Sequence, residues 1–431
     1  MKSLKYPAFL LAFLFFCLQI PCVFAEPNKV KVAHQGQNYA LFLNGKPFYI
    51  QGAGAGLAFG ARGENYLKMA KELGANTVRS WGCDQGNQQY LDEAQRLGLY
   101  VVAGIWLDYP DEEKRIGYLA GRGYQAYMNE KEKEVLDYVT RYKDHPAVLV
   151  WGLGNEVIHF TKSEAERVAF AKFLERLIQK VHSVDPTHPV VYASAGRTGL
   201  PYLKKYTPSL DIIGVNDYGD VQFIENLWMD LGFDAPYLMT EFGALGPWDI
   251  PKDANGKCAE HSDYSKAAQV RNYWNRIREK RGNNIGGCVF HLGETTQETL
   301  TYYNINDHEY RREAYLLIQS LYTGQKVVHH APRIKAFNGV PAMTAKGVEF
   351  NVEIKTENAQ GNSLTYTYKA STAIEGVLQY YVNEEVPIHV KGAGNKVTIT
   401  APEKEGVYRI YGFVRDEYGN VSSANSTLHV V

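Results

Sequence analysis

The chain has 431 residues, of which 45% are hydrophobic and 22% are charged, and its formal net charge is −1. This composition is typical of a globular protein rather than a disordered or fibrous one, and the length leaves room for two domains. A net charge so close to zero gives no electrostatic reason to expect nucleic acid or an anionic membrane as a partner.

The first 25 residues are predicted to be a signal peptide. Lys2 and Lys5 precede an apolar run over residues 8–20, and Val23-Phe24-Ala25 places small residues where a signal peptidase needs them. Cleavage is therefore expected before Glu26. The alternative is an uncleaved membrane anchor, but the apolar run is shorter than the roughly 20 residues that a span requires. We expect a secreted or periplasmic protein without stable membrane insertion.

Cys83, Cys258 and Cys288 follow the predicted signal peptide. They allow at most one internal disulfide, and their spacing leaves the pairing open. The sequence has no C-x-x-C and no H-E-x-x-H pattern, and it predicts neither a metal site nor a cofactor.

Residues 30–50 alternate like a β-hairpin that turns at Asn44-Gly45, and a regular alternation of strands and helices follows. The predicted strands cover residues 48–54, 76–81, 100–107, 147–153, 190–195, 212–216, 237–241 and 285–292. The predicted helices cover residues 65–73, 88–97, 130–142, 163–184, 201–205, 222–231, 264–281 and 311–323.

Eight strand–helix units in series predict an α/β fold, a closed (β/α)8 TIM barrel. A doubly wound open sheet is the alternative. Gly52, Gly54 and Gly56 follow the pattern G-x-G-x-G, however, which is not the phosphate-binding G-x-G-x-x-G. The barrel is therefore favoured.

From residue 329 the pattern changes to short strands joined by Gly, Asn and Pro turns. The predicted strands cover residues 348–354, 364–369, 377–382, 396–400, 407–415 and 427–431. They indicate an immunoglobulin-like β-sandwich of about 100 residues. The domains are then a barrel with its hairpin over 26–328 and a sandwich over 329–431. We interpret the sandwich as a spacer packed on the barrel, and carbohydrate binding is the alternative.

In a TIM barrel, catalytic side chains lie at the C-terminal ends of the strands. The predicted strand ends carry a polar and aromatic set: Arg79, Trp81, Trp106, Asp108, Asn155, Glu156, Asn216, Tyr218, Glu241, His291 and Glu294. Glu156 ends the fourth strand and Glu241 the seventh, so they are expected to face each other across the barrel mouth. Cleavage of a glycosidic bond needs two such carboxyl groups.

Two of these strand ends also carry a resemblance. Trp151-Gly152-Leu153-Gly154-Asn155-Glu156 resembles the strand-four motif of clan A glycoside hydrolases, and Leu238-Met239-Thr240-Glu241-Phe242-Gly243 resembles the strand-seven motif. Leu43-Asn44-Gly45-Lys46-Pro47-Phe48 and Ala75-Asn76-Thr77-Val78-Arg79 are similar to family 2 of that clan. The resemblance covers about residues 38–325 and is closest to the TIM-barrel catalytic domain of glycoside hydrolase family 2.

The resemblance implies a double displacement with Glu156 as acid/base and Glu241 as nucleophile. Asn155 would bond the sugar 2-hydroxyl, and Arg79 and Tyr218 would hold the nucleophile. Many clan members end strand eight with a tryptophan, but this chain has Phe290-His291-Leu292 there. The resemblance therefore does not identify the sugar that is bound at the cleavage point.

The remaining strand-end residues have open interpretations. Trp81 and Trp106 are interpreted as sugar platforms or as core residues. Asn216 either contacts substrate or is an ordinary polar residue at its strand end. His291 and Glu294 either bind substrate or have a structural role. Asp108 and Asp217 are possible substrate contacts. The basic residues Lys131, Lys133, Arg141 and Lys143 are interpreted as a solvated helix face.

The predicted function is retaining hydrolysis of β-linked glycans, a β-glucan or a related oligosaccharide. One alternative is a transglycosylase of the same mechanism, which remodels such glycans. The other is a non-catalytic glycan-binding protein, which the presence of both glutamates with Arg79, Asn155 and Tyr218 argues against.

Overall fold

The computed structural model describes residues 27–36, 38–219, 221–357, 361, 363–375 and 382–431. The predicted signal peptide lies outside these residues, as does the predicted strand over 377–382 apart from its last residue. No helix in the described part of the chain is long and apolar enough to cross a membrane.

A small antiparallel sheet precedes the barrel, formed by β1 Val30–Gln35, β2 Asn38–Leu43 and β3 Lys46–Phe48. Asn44 and Gly45 both have positive φ values, 52° and 79°, so the predicted tight turn connects β2 and β3. The earlier turn, between β1 and β2, was not predicted. Apolar residues of this sheet pack with residues at the start of several barrel strands, so the sheet covers the N-terminal end of the barrel.

Eight parallel strands follow: β4 Ile50–Gly54, β5 Thr77–Arg79, β6 Tyr100–Ile105, β7 Val148–Asn155, β8 Val190–Ala195, β9 Ile212–Asp217, β10 Tyr237–Phe242 and β11 Asn284–Val289. They close into a barrel in the order β10-β11-β4-β5-β6-β7-β8-β9. The predicted TIM barrel is confirmed, and each observed strand falls on a predicted one.

Helices pack around the barrel. Their bounds are α1 Tyr66–Glu72, α2 Gln88–Leu97, α3 Gln125–Tyr142, α4 Val157–Phe160, α5 Glu164–Val184, α6 Leu200–Tyr206, α7 Val221–Asp230, α8 Asp263–Glu279 and α9 Glu313–Thr323. Local sequence explains several ends. Ser163 accepts from the backbone of Glu166, whose carboxylate accepts in return, and this capping box starts α5. Gly98, at φ 65°, ends α2.

A short hairpin, β12 Asn306–Asp307 and β13 Tyr310–Arg311, leads into α9. The C-terminal strands follow: β14 Arg333–Asn338, β15 Met343–Thr344, β16 Glu349–Glu357, β17 Leu364–Thr372, β18 Glu385–Val386, β19 His389–Lys391, β20 Lys396–Thr400, β21 Gly406–Asp416 and β22 Val421–Val430. They form two sheets, β14-β16-β20-β19 and β15-β22-β21-β17-β18, with one shared apolar core. The immunoglobulin-like classification stays a prediction.

The C-terminal sheets dock directly on the barrel through buried polar contacts. Arg312, at the start of α9, donates to Asp263 Oδ2 at 2.8 Å and to Ser423 Oγ at 2.7 Å. The backbone amide of Ser423 donates to the same Asp263 oxygen at 2.8 Å. Arg312 and Asp263 both belong to the barrel part of the chain, so the contact between the two parts is made by Ser423 of β22, which bonds both members of this buried ion pair.

Candidate active site

A cleft of about 1260 Å³ opens at the C-terminal ends of the barrel strands. Ten of the candidate residues line it: Trp81, Trp106, Asp108, Asn155, Glu156, Asn216, Asp217, Tyr218, Glu241 and His291. Arg79 lies buried beneath them. Other lining residues were not predicted from the sequence, among them Tyr109, Trp248, Thr295, Gln297 and Tyr303.

Glu241, on β10, is surrounded by hydrogen-bond donors. Its Oε1 accepts from Arg79 Nη1 at 2.7 Å and from Trp81 Nε1 at 2.8 Å. Its Oε2 accepts from the Tyr218 hydroxyl at 2.6 Å. The guanidinium and the indole N–H can only donate, so the surroundings suit an ionised carboxylate with fixed oxygens.

Asn155, at the end of β7, is oriented by the same arginine. Its Oδ1 accepts from Arg79 Nη2 at 2.8 Å and from Asn216 Nδ2 at 2.9 Å. Because both partners donate to this oxygen, the amide nitrogen of Asn155 points elsewhere and can donate to a bound ligand. This geometry is compatible with the predicted contact to a sugar hydroxyl.

Asn216, on β9, holds the other glutamate. Its Nδ2 also donates to Glu156 Oε1 at 2.9 Å, while its Oδ1 accepts from Thr240 Oγ1 at 2.7 Å. The Asn216 amide is thus engaged with protein groups, and it fixes the position of one Glu156 oxygen.

Glu156 follows β7 and starts α4 with a left-handed backbone, φ 57°. Its environment differs from that of Glu241. Burial, and next the charge of Glu241, raise the pKa of Glu156 to about 7, although the Asn216 hydrogen bond and Arg79 act in the opposite direction. One carboxyl is thus able to hold a proton near neutral pH while its neighbour is surrounded by donors.

Trp81, predicted to be a sugar platform or a core residue, lines the cleft and also bonds the neighbouring glutamate. The ring is half-buried, it bonds Glu241 through its N–H, and the Arg79 guanidinium carbon lies 4.9 Å from its centroid. A Cβ on Gly54 would lie only 2.8 Å from this ring, so the glycine provides the space that Trp81 fills. The indole acts as a further support for Glu241.

An aromatic wall extends beyond Glu156. Trp106 packs against Tyr109 with ring centroids 5.3 Å apart, and Tyr109 packs against Phe160 at 4.2 Å. Trp106 and Tyr109 are half-buried and line the cleft. Trp248, on a 3-10 turn after β10, is 55% exposed and lines the cleft as well. These rings can stack on apolar faces of sugars.

His291 also lines the cleft, in contact with the Trp81 ring at 5.6 Å between centroids. Burial lowers the pKa of His291 to about 4, opposed in part by a hydrogen bond with Asn304. Its Nδ1 atom is buried and has no protein partner among the described residues. Since burial disfavours the charged form, the imidazole is neutral at neutral pH.

The interpretation of Lys131 as part of a solvated helix face was wrong. Its side chain is only 12% exposed and lines the cleft, with Nζ 3.1 Å from Asp108 and 2.7 Å from Glu134. Burial acts to lower the pKa of Lys131, but the two carboxylates outweigh it and the pKa is raised. The helical repeat did not reveal this, because only Glu134 is a neighbour of Lys131 on the same helix, whereas Asp108 comes from another part of the chain.

Asp217 also lines the cleft, where its carboxylate accepts from the Tyr273 hydroxyl at 3.1 Å.

Glu294 does not line the cleft. It bonds Tyr66 at 2.9 Å and pairs with His308, which also pairs with Glu64 at 2.9 Å. One potential metal-ligand atom from each of Glu64, Glu294 and His308 lies within 4.8 Å of the others. Since the histidine already bridges the two carboxylates, the three side chains partner one another as a polar cluster. Cys83, Cys258 and Cys288 all carry free thiols.

Comparison with known proteins gives matches over the same region. Residues 35–302 match the family model for glycosyl hydrolases family 2, TIM barrel domain. The chain is 25% identical to the β-glucuronidase of Rattus norvegicus over 265 residues, which cover 57% of this chain and 38% of that protein. The chain therefore spans less than half the length of this curated relative.

Solved structures resemble the fold. The β-glucuronidase of Dictyoglomus thermophilum matches with a TM-score of 0.53 and 18% identity, over 70% of this chain and 54% of the other. The FMN-binding β-glucuronidase of Facaelibacterium prausnitzii L2-6 has a TM-score of 0.53 and 17% identity, and the match covers 94% of this chain and 59% of the other.

Proposed function

Because the chain belongs to glycosyl hydrolases family 2, we propose that it is a retaining glycosidase with Glu241 as nucleophile and Glu156 as acid/base. The observation that carries the proposal is the unequal pair of glutamates in one cleft. Glu241 accepts from three donors, whereas the pKa of Glu156 is raised to about 7 by burial and by the charge of Glu241.

The first chemical step follows from these environments. A Glu241 oxygen attacks the anomeric carbon while the Glu156 carboxyl gives its proton to the departing glycosidic oxygen. Arg79, Trp81 and Tyr218 keep the attacking carboxylate oriented through bonds of 2.6–2.8 Å. The bond to the leaving group breaks, and the sugar becomes esterified to Glu241.

The second step reverses the roles. Glu156, now ionised, takes a proton from an incoming water, and the water oxygen displaces Glu241 from the anomeric carbon. Formation of the ester removes the negative charge of Glu241, which had helped to raise the pKa of Glu156. The pKa of Glu156 then falls, as a general base at this stage requires.

For the substrate we propose a neutral β-linked glycan, such as a β-glucan or a related oligosaccharide. Seven carboxylates line the cleft: Asp84, Asp108, Glu134, Glu156, Asp217, Glu241 and Asp249. Lys131 is the sole lysine or arginine among the described lining residues, and it is already paired with two of these acids. A glucuronide carries a carboxylate that would meet repulsion here.

The experiment on the catalytic pair uses two substitutions and two kinds of substrate. Glu241→Gln is expected to abolish turnover on glycans and on aryl glycosides alike. Glu156→Gln should lose activity on glycans but retain it on aryl glycosides whose leaving group needs no proton. Near-normal hydrolysis of a natural glycan by either variant contradicts the assignment. NMR of the first-formed product should show the β-anomer, since two inversions restore the configuration.

The experiment on substrate class compares molecules that differ by one charge. The p-nitrophenyl β-glucuronide and its neutral methyl ester should be assayed beside the β-glucoside, with β-glucans, xylan, mannan and galactosides as polymers or oligomers. The ester should exceed the acid in kcat/KM, and a preference for the acid contradicts the proposed neutral glycan. Products longer than the substrate would identify transglycosylation, and glycan binding without any turnover would identify a binding protein.

We also propose that the protein is exported, on the basis of the basic start and apolar run over residues 1–25. N-terminal sequencing of the protein from extracellular and periplasmic fractions should give Glu26 as the first residue. A chain that keeps Met1 in the cytoplasm contradicts this proposal.

A further inference from the structure

The segment between β11 and β12 forms one wall of the cleft. Thr295, Gln297 and Tyr303 of this segment line the cleft, and the Tyr303 ring contacts the Tyr218 ring at 5.5 Å between centroids. The opposite side of the segment contacts the C-terminal sheets. The position of this wall therefore depends on contacts from outside the barrel.

Asn383, which is 2% exposed, makes the most extensive of these contacts. Its backbone amide donates to the carbonyl of Thr296 at 3.1 Å, and its Nδ2 donates to the carbonyl of Glu298 at 3.0 Å. The neighbouring residues Val382 and Gln297 form an antiparallel β-bridge. The backbone on both sides of the cleft-lining Gln297 is thus bonded to one residue of the C-terminal domain.

Tyr411, on β21, holds the next part of the wall. Its fully buried hydroxyl accepts from the backbone amide of Leu300 at 3.2 Å and bonds the Ser371 hydroxyl at 3.0 Å. Leu300 also packs in an apolar cluster with Tyr411, Phe413 and Val421. Leu300 lies midway between Gln297 and Tyr303, so its attachment limits movement of the whole segment.

A buried charge extends the same attachment to the loop after β10. Glu260 accepts from Thr299 Oγ1 and from Asn425 Nδ2, both at 2.7 Å, and from Lys266 Nζ at 2.6 Å. Burial alone would raise the pKa of Glu260, but Lys266, Arg409 and Thr299 lower it to about 2. The carboxylate therefore links the wall, the barrel and β22 across the working pH range.

We propose that the C-terminal domain completes the active site, with Asn383 and Tyr411 as positioning residues that hold the 295–303 wall against substrate. Neither residue lines the cleft, so both act through the segment that they bind. The inference rests on the proposed glycosidase activity, because it assigns this wall to the substrate site of that enzyme.

The test uses three variants of the full chain. Tyr411→Phe removes only the hydroxyl that Leu300 donates to. Asn383→Asp keeps the size of the side chain but directs a carboxylate at the carbonyls of Thr296 and Glu298. Tyr368→Phe is the matched control, because it removes a hydroxyl of the same domain that donates to the carbonyl of Gly394 at 3.0 Å, away from the barrel.

Two measurements distinguish the outcomes. Hydrogen exchange of the 295–303 amides should accelerate in Tyr411→Phe and Asn383→Asp but not in Tyr368→Phe, and this readout needs no activity. Loss of about one hydrogen bond predicts a KM for oligosaccharide that is about three- to tenfold higher in Tyr411→Phe, with kcat within about twofold of wild type.

Unchanged exchange in Tyr411→Phe overturns the proposal, and so does faster exchange with an unchanged KM. If Asn383→Asp does not fold, Tyr411→Phe decides alone. If the wild-type protein is inactive, the proposed activity is contradicted, and so is the assignment of the wall to a substrate site. Accelerated exchange in the variants would then still show that the C-terminal domain holds the 295–303 segment.

Discussion

The charge of Glu156 is expected to destabilise the folded protein at neutral and alkaline pH, so Glu156→Gln should stabilise it there. The substitution removes the ionisable group but keeps the length of the side chain, and its amide oxygen can still accept from Asn216 Nδ2, which is 2.9 Å from Oε1. The perturbation therefore isolates the cost of holding a carboxylate where burial and Glu241 disfavour it.

The sign and size follow from the raised pKa. Below pH 4.5 the carboxyl is protonated in both the folded and the unfolded protein, so it does not lower the free energy of unfolding there. Between the ordinary value of 4.5 and the folded value of about 7, the folded state alone keeps the proton, so stability falls as pH rises. The increase in the pKa of Glu156 on folding corresponds to a loss of about 3 kcal/mol in the free energy of unfolding, at about 1.4 kcal/mol per pH unit.

The assay is urea unfolding followed by tryptophan fluorescence. All six tryptophans of the chain precede residue 329, so their emission reports on the barrel. Glu156→Gln and wild type should nearly coincide at pH 5, and at pH 8 the variant should be more stable by up to about 3 kcal/mol. Parallel stability curves for the two proteins from pH 5 to pH 8 would refute the reasoning.

Glu241→Gln is the matched comparison, because it makes the same chemical change in the same cleft. Here the carboxylate faces the buried Arg79 guanidinium at 2.7 Å, and the substitution leaves that charge without its counter-ion. We expect a loss of about 1–3 kcal/mol at pH 8. Opposite signs for the two variants at this pH would separate the electrostatics of the site from any general effect of Glu→Gln substitution.

Three further predictions concern activity. The kcat/KM for glycans should decline above about pH 7, where Glu156 loses the proton that it must donate, and a pH–rate profile flat to pH 9 would contradict this. Trp81→Phe removes the 2.8 Å hydrogen bond to Glu241, so steady-state kinetics should show a kcat about 10- to 100-fold lower with a similar KM. A kcat equal to that of wild type would show that this hydrogen bond does not support catalysis. Trp248→Ala removes a ring that is 55% exposed, so the KM for oligosaccharides should rise by about three- to tenfold with an unchanged kcat. An unchanged KM would show that no sugar stacks on this ring.

Local sequence was sufficient for the barrel and for the identity of its two glutamates. Strand and helix periods, the Asn44-Gly45 turn and the Ser163 cap each depend on residues close together in the chain, and each predicted barrel strand overlaps an observed one. The alternation of eight strands with helices then places strand ends at one mouth, which brought Glu156 and Glu241 together without knowledge of any contact.

The partners of those glutamates were decided only by the tertiary structure. The indole of Trp81 bonds Glu241, which lies 160 positions away, and Asn216 bonds Glu156 across 60 positions. Lys131 occupies the helix predicted for it, yet cleft carboxylates enclose it. Asn383, in the C-terminal part of the chain, bonds the cleft wall across 85 positions. Strand and helix periods specify the direction of a side chain relative to its own element, whereas the groups that it meets depend on how distant elements pack.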